Sequence, residues 1–374
     1  MRNIQIPVFF FLACFSCQNT VAQELKLMTS ERLILGTYKE RTASVASGDI
    51  DGDGDIDILV ANGRHWPGQN RVFSNNGRGI FTVEQDLGAQ KSTTYATELA
   101  DLDNDGDLDV AVGNDMAPNY IYFNDGAGNF TRGASFGEAY APTRNLTLAD
   151  LDLDGNIDIL ITNRGRANQI CLNNGRGEFP RTIPFGTKED STIDVEAADM
   201  DNDGDLDLIL ANRDEQPNYV YLNNGSLNFS EKIAFGSGHD NTRSVSVADI
   251  NRDGLQDIVV ANIGEPNAIY FGSAEDPFSE YVVFDSGKAD SFAVTVADLD
   301  LDNELDIIIG NDGSRNAIYL NLGNGKKWKK TPMAGEDFET YDIISADLNN
   351  DGYPDLIEAN SDEINRYYLN RTKN

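Results

Sequence analysis

The 374 residues carry 62 Asp and Glu against 29 Lys and Arg, a formal charge of −33, with 34 Gly and only 11 Pro. So acidic a chain repels nucleic acid and anionic membrane surfaces, and neither is expected as a partner. Abundant Gly, Asn and Asp with sparse Pro point to many short turns and few long helices.

In chain order, residues 1–22 read as a secretion signal. Arg2 precedes an apolar stretch, residues 4–15 (IQIPVFFFLACF), too short to span a bilayer comfortably. Thr20-Val21-Ala22 then offers a small-residue cleavage site that leaves Gln23 first. The alternative is a lipid-modified Cys14 or Cys17, as in a bacterial lipoprotein, but neither has the Leu three residues ahead that such processing favours. The expected location is therefore secreted, or periplasmic or at the cell surface, with no membrane span. Cleavage after Ala22 leaves Cys171 as the sole cysteine, so no internal disulfide stiffens the fold. Metal is the natural substitute.

Residues 23–374 read as one repetitive domain. The pattern Asp-x-Asp-x-Asp-Gly-x-x-Asp begins at Asp49, Asp101, Asp150, Asp199, Asp249, Asp298 and Asp347, at separations of 49 to 52 residues. Each period has the same parts. In the first, residues 44–49 (SVASGD) form a strand, the acidic loop follows, and residues 56–61 (IDILVA) form a buried strand. A loop over residues 62–70 leads to a third strand (RVFSN), a Gly-rich turn (NNGRG) and a fourth strand opening at Phe81. Four short antiparallel strands at this period describe a propeller blade. An all-β, seven-bladed β-propeller is the expected fold. The last period ends at its third strand, residues 365–370, while a surplus segment, residues 25–36, precedes the first loop. Its Leu35-Gly36 keeps the spacing to the next acidic loop found for Leu87-Gly88, Phe136-Gly137, Phe185-Gly186 and Phe235-Gly236. The N-terminal strand is thus expected to complete the last blade and close the ring.

The loops have the spacing of oxygen ligands. In the first, Asp49, Asp51, Asp53 and Asp57 hold positions one, three, five and nine, Gly54 sits at six, and the backbone oxygen of Asp55 is available at seven. The second has Asp101, Asp103, Asp105, Asp107 and Asp109; the third Asp150, Asp152, Asp154 and Asp158; the fourth Asp199, Asp201, Asp203, Asp205 and Asp207. The fifth has Asp249, Asn251, Asp253 and Asp257, and the seventh Asp347, Asn349, Asp351 and Asp355, each one charge poorer. The sixth has Asp298, Asp300, Asp302 and Asp306, with Asn303 in place of Gly. Hard oxygen donors without His or Cys select calcium, up to seven ions, with the last three sites expected to be weaker. Plain acidic turns would explain one such loop. Seven in register crowd too much like charge to persist without cations.

These loops (DIDGDGDID, DLDNDGDLD, DMDNDGDLD, DLNNDGYPD), each followed by an apolar strand, resemble FG-GAP/VCBS repeats, the calcium-binding blades of integrin-α-type propellers. The resemblance covers essentially the whole of residues 23–374. It implies a propeller with structural calcium and leaves the activity open, since such propellers occur in adhesion receptors, bacterial secreted proteins and parts of polysaccharide lyases.

In such a propeller the acidic loops share one face, and partners meet the other. A hydroxyl residue stands seven residues ahead of every acidic loop, at Thr42, Thr94, Thr143, Thr192, Thr242, Ser291 and Thr340, and reads as scaffold. So do the Asn pairs, from Asn62 and Asn70 to Asn360 and Asn365. What breaks the repeat is more telling. The first period has the long loop containing His65 and Trp66, and His239 is expected on the same face. Tyr95, Arg144, Arg243, Phe292 and Tyr341 follow the hydroxyls and should ring the channel mouth, with Glu98 and Glu196 deeper inside. Cys171 aligns with Phe73, Tyr122 and Tyr221 and reads as core. The expected function is a monomeric binding or adhesion module for extracellular glycan or protein on the loop face. The alternative is a polysaccharide lyase that uses Tyr or His as base and Arg to neutralise a uronate.

Overall fold

The computed structural model describes residues 24–372, and the expected signal at 1–22 lies outside them. Among the described residues the regular elements are strands, and no helix is long and apolar enough to cross a membrane.

The second repeat shows the unit. Thr94–Ala100, Asp109–Asn114, Asn119–Asn124 and Phe130–Phe136 pair in that order, each antiparallel to the next. The same four-stranded order recurs in the sheets that begin with Thr143–Ala149, Thr192–Ala198, Thr242–Ala248 and Asp290–Ala297. The remaining strands form one composite sheet. Its long member, Ile34–Gly48, pairs through residues 42–48 with Asp57–Asn62 and through residues 34–41 with Asp355–Asn370. Leu27 and Met28 lie opposite Asn370 and Leu369, and Thr340–Ala346 lines the other side of Asp355–Asn370.

Burial explains the composition of each strand. The second strand of each repeat, such as Asp158–Asn163, is buried at every position because its two faces meet two different sheets. Leu160 packs with Val195, Leu208 and Leu210 of the following repeat, while Ile159 and Ile161 pack with Ala96 and Ala111 of the preceding one. The fourth strands, such as Val83–Asp86, form the outer edge and are mostly exposed. The cores therefore lie between sheets, and each repeat is stable only through its neighbours. One such core joins Val45, Ile58 and Phe73 of the first repeat to Leu348, Ile357 and Tyr367 of the last.

A hydrogen-bond circuit links the repeats. Thr42 Oγ1 donates to Asn62 Oδ1 (2.8 Å), Asn70 Oδ1 accepts from the Asn62 amide (2.9 Å), and Asn70 Nδ2 donates to Thr94 Oγ1 of the next repeat (3.0 Å). The relay continues through Thr192, Thr242, Ser291 and Thr340, and Asn365 Nδ2 returns it to Thr42 (3.0 Å). Its one break is Asn119 Nδ2, buried without a partner beside the third repeat.

The hydroxyl residue has a second consequence. In all seven first strands the register shifts immediately after it, so one extra residue is bulged out: Ala43, Tyr95, Arg144, Ile193, Arg243, Phe292 and Tyr341. A bulge re-aims its side chain away from the ladder. The scaffold therefore presents one free position per repeat at the same height.

Candidate functional site

Two regions carry unusual chemistry, at opposite ends of the same first and second strands. At one end are the acidic loops. Each turns through two left-handed residues, at positions four and six. Asn104 and Gly106 (φ 63° and 97°) are one such pair, and Leu301 and Asn303 (φ 56° and 70°) are another. Position six follows from its Gly; position four is not legible in sequence, since Leu and Arg also occupy it. Gly106 N then donates to Asp101 Oδ2 (3.0 Å) and Asp107 N to Asp105 Oδ1 (3.1 Å), curling the loop round its carboxylates.

The structure brings Asp49, Asp51 and Asp53 together, and likewise Asp199, Asp201 and Asp203, and Asp298, Asp300 and Asp302, each with carboxylate oxygens within 4.8 Å of one another. In the second and third loops the groups are Asp101, Asp103 and Asp109, and Asp150, Asp152 and Asp158. Each group could hold a metal ion. Asp49, Asp51, Asp103 and Asp300 each keep a buried Oδ1 without a hydrogen-bond partner, an oxygen available to ligate a cation. Burial and then the neighbouring Asp charges push Asp51, Asp103 and Asp201 above the usual carboxylate range. The sixth loop gathers its carboxylates as the first four do, because Asn303 adopts the left-handed turn that Gly makes elsewhere. Burial pushes Asp300 up to about 6 and Asp306 to about 8. By geometry it stands apart from the fifth and seventh loops, where Asn251 and Asn349 replace a carboxylate.

Position nine behaves differently from what spacing alone implies, while position seven keeps the backbone role expected of it. The Asp55, Asp107 and Asp205 side chains turn away from the cluster and lie against the hairpin glycines Gly77, Gly126 and Gly225. Only their backbone oxygens remain for a cation. The position-nine carboxylate is a clamp in every repeat. Asp57 Oδ2 accepts from Ile50 N (3.1 Å) and Oδ1 from Asn75 N (2.8 Å), and Asp207 holds Met200 N and Asn223 N in the same way. Asn124 Nδ2 meanwhile reaches back to Ile50 O of the preceding loop (2.7 Å).

At the other end the first strands surround a cavity of about 520 Å³. Glu98, Glu196, Asp194 and Asp342 line it, together with Tyr95, Arg144, Arg243, Phe292 and Tyr341. Asp194 accepts from Val195 N (2.9 Å) and Val245 N (3.0 Å), and Asp342 from Ile343 N (2.8 Å) and Val45 N (3.0 Å), so both are tied to backbone. Burial pushes Glu196 up to about 8, helped by Asp194, and holds Glu98 well above the ordinary range.

The mouth is built of arginines resting on rings. The Arg144 guanidinium lies 4.4 Å from the Tyr95 ring centroid and pairs with Asp115 at 2.8 Å. Arg64 lies 4.0 Å over Tyr341 and also bonds its hydroxyl, and Arg243 lies 5.6 Å from Phe292. His65 Nδ1 is 2.9 Å from Tyr95 Oη. His239, expected on this face, lies exposed near the end of the long outer strand Glu231–Asp240 and does not line the cavity. Arg64 and Arg213 were missed because both sit in loops that differ in length from repeat to repeat. Cys171 is fully buried, its thiol pushed up to about 11 by burial.

Six overlapping segments, residues 49–112, 101–161, 150–210, 199–260, 249–309 and 298–358, match the FG-GAP-like repeat. No curated protein sequence matches the chain. Among solved structures, BBS1N, crystallised in complex with ARL6DN, superposes with a TM-score of 0.63 at 13% identity over 95% of this chain and 99% of its own. The WD40 domain of Toxoplasma gondii coronin gives 0.64 at 10% identity, over 95% of this chain and 88% of that one. An Agrocybe aegerita lectin that recognises non-reducing terminal N-acetylglucosamine gives 0.57 at 20% identity, over 79% and 80%. These likenesses are of fold.

Proposed function

This chain belongs to the FG-GAP-like repeat family, and we propose that it is a secreted, calcium-stabilised, seven-bladed β-propeller that works as a binding module. Residues 23–374 form one domain, and residues 1–22 are removed on export. The reading of a closed ring rests on the hydrogen-bond circuit, on the pairing of residues 27–35 with the last strand, and on Thr340–Ala346 contacting both Asp290–Ala297 and Ile34–Gly48. Calcium rests on the all-oxygen donor set and its unpartnered buried oxygens.

The observation that carries the binding role is the surface at the mouth end. Trp66, Met116 and Tyr140 are 66%, 56% and 62% exposed, on loops of that end, and Met116 N donates to Ala141 O so that two of these loops adjoin. Exposed apolar side chains beside a charged mouth fit a protein or glycan partner. That BBS1N was crystallised in complex with ARL6DN shows that a structure of this shape can meet a protein. The monomer is the working unit. The lyase alternative draws on Tyr95, Tyr341 or His239 as base; burial pushes both tyrosine hydroxyls up, which disfavours their ionisation, and His239 does not line the cavity.

Calorimetric titration of the EDTA-treated protein with calcium should show several ions bound and a raised melting temperature. A melting temperature indifferent to EDTA overturns the calcium reading. Sequencing of the exported protein should begin at Gln23. A glycan or extracellular protein found to bind should lose affinity on Trp66→Ala or Tyr140→Ala and keep it on Leu153→Ala at the opposite end; the reverse pattern places the working face wrongly.

A further inference from the structure

The third strands share one aromatic position, held by Tyr122, Tyr221, Tyr270 and Tyr319, and each faces a residue of the outer strand beside it. Opposite three of them stands a cation: Arg132, Lys232 and Lys330. These cations rest on rings. Arg132 lies 4.7 Å over the Tyr120 ring, and Lys232 Nζ is 3.8 Å from the Tyr219 centroid and 5.4 Å from that of Tyr221. Lys330 Nζ is 5.2 Å from the Tyr319 centroid and 3.2 Å from Asp285 Oδ2, and the Tyr319 hydroxyl bonds the same carboxylate. Ring, carboxylate and ammonium complete one another there. Opposite Tyr270 the fifth repeat has Tyr281 instead, and supplies no cation.

The carboxylates are present all the same. At the outer rim, between the fourth and fifth sheets, Asp240, Glu265, Tyr270, Phe278, Tyr281 and Val283 line a cleft of about 470 Å³ that has no lysine or arginine in its wall. Asp240 is only 7% exposed. Its oxygens accept from Ser237 N (2.8 Å) and Ser237 Oγ (2.6 Å), and Glu265 Oε2 accepts from Asn241 N (3.2 Å). Neutral donors thus fix both carboxylates in place without balancing their charge, and a buried charge lacking a counter-ion is costly. Tyr281 is 58% exposed, its ring centroid 5.7 Å from that of Tyr270, and Val283 on the same face of the strand is 45% exposed.

We propose that this cleft receives a lysine or arginine side chain of a protein partner, which takes the place that Lys232 and Lys330 fill in the neighbouring repeats. Its charge meets Asp240 and Glu265, as Lys330 meets Asp285 one repeat on, and its methylenes lie on Tyr281 and Val283. Two features favour a polypeptide over a small amine. The exposed Tyr281 and Val283 offer apolar area that an ammonium alone leaves uncovered. The strand Tyr281–Asp285 that carries them is also the outermost of its sheet, so a partner's backbone has an edge to pair with. A formal charge of −33 attracts basic partners in general, and the cleft gives that attraction a fixed address. The cleft shares no lining residue with the central cavity and is a second surface, independent of the mouth.

The test is an NMR titration, with calcium present, of a capped pentapeptide carrying one lysine among threonines, and of the same peptide with norleucine in place of the lysine. The lysine peptide should bind about tenfold more tightly or better. Tyr281→Lys supplies the missing cation from within the chain and should abolish that binding while keeping or raising the melting temperature. Glu265→Gln should weaken binding by about threefold or more. The norleucine comparison is made on the unaltered protein and needs no variant. Equal binding of the two peptides, no binding of the lysine peptide, or unchanged affinity in either variant overturns the proposal. If n-butylammonium binds as tightly as the peptide, the cleft takes a small amine and the partner assignment falls. If binding is lost on Trp66→Ala but kept in Tyr281→Lys, the inference falls while the mouth remains the working face.

Discussion

The two ends of each first strand obey opposite rules. At the loop end every repeat clamps two backbone amides with the Asp at position nine, and in most a hairpin Asn such as Asn124 or Asn173 also ties the preceding loop down. At the mouth end the scaffold is also uniform, but only up to the hydroxyl. The next residue is expelled from the ladder, and its identity changes from Ala43 to Tyr95, Arg144, Ile193, Arg243, Phe292 and Tyr341. A repeat protein can thus hold its geometry constant and vary its chemistry within one residue of the same strand. Changes at the loop end should be costly and alike in every repeat. Changes at the mouth should be cheap and individual.

The largest effect separates two kinds of Asp within one loop. Asp207→Ala removes the acceptor from the Met200 and Asn223 amides, leaving one part-buried and one buried donor unpaired. In EDTA this should cost about 3–5 kcal/mol by chemical denaturation. Asp201→Ala in EDTA should cost nothing or stabilise slightly, since it relieves a carboxylate crowded by Asp203 and Asp199. With calcium present the second variant should lose most of the metal-dependent gain in stability. Equal losses in EDTA for both would erase the distinction between clamp and ligand.

The next effect lies in the wall that supports the mouth. Glu358 is buried, accepting from Asn316 Nδ2 (2.7 Å) and Tyr368 Oη (3.1 Å), and burial pushes it up to about 7 from an ordinary 4.5. The folded chain therefore holds this proton more tightly than the unfolded chain. Its stabilising contribution is complete below about pH 4.5 and is lost as pH rises through about 7. Between pH 5 and 8 the native protein should lose on the order of 2 to 3 kcal/mol relative to Glu358→Gln, whose amide does not titrate. Parallel pH profiles for the two proteins would show that Glu358 is ionised at little cost.

Much of this was legible in sequence, for a physical reason. Metal-binding loops need fixed ligand spacing, and strands buried on both faces need unbroken apolar runs, so Asp101 to Asp109 and the DILVAN-type strands declare themselves. The hydroxyl and Asn positions were visible as repeated letters; that they form one relay was not, because each link joins one repeat to the next and the last joins the two ends of the domain. The bulge was invisible, since a one-residue register shift leaves no mark on composition. It is nonetheless what turns Tyr95, Arg144 and Tyr341 toward the channel. His65, from another repeat, reaches Tyr95, whereas His239 lies exposed on an outer strand away from the cavity.

The relay supplies a smaller test with its own control. Thr192→Ala breaks links to both Asn168 (3.0 Å) and Asn212 (2.8 Å) and should cost about 1–2 kcal/mol. Thr143→Ala sits beside the break at Asn119, loses only the 3.2 Å link to Asn163, and should cost about half as much. Equal costs would mean that the relay passes through Asn119 after all.

The smallest expected effect is the one that most directly opposes the two ends. Trp66 is among the most exposed apolar side chains at the mouth, two-thirds of its surface open to solvent. Its backbone is fixed independently, with Trp66 N donating to Gly63 O (3.1 Å) and the loop bridged by Gly68 to Ser92. Trp66→Ala should therefore change stability by no more than about 0.5 kcal/mol. The same truncation at Asp207, at the start of the strand Asp207–Asn212, is expected to cost several times as much. A stability loss above 1 kcal/mol for Trp66→Ala, measured by denaturant unfolding with calcium present, would show the indole to be part of the scaffold and would remove the main reason for placing the partner at this end.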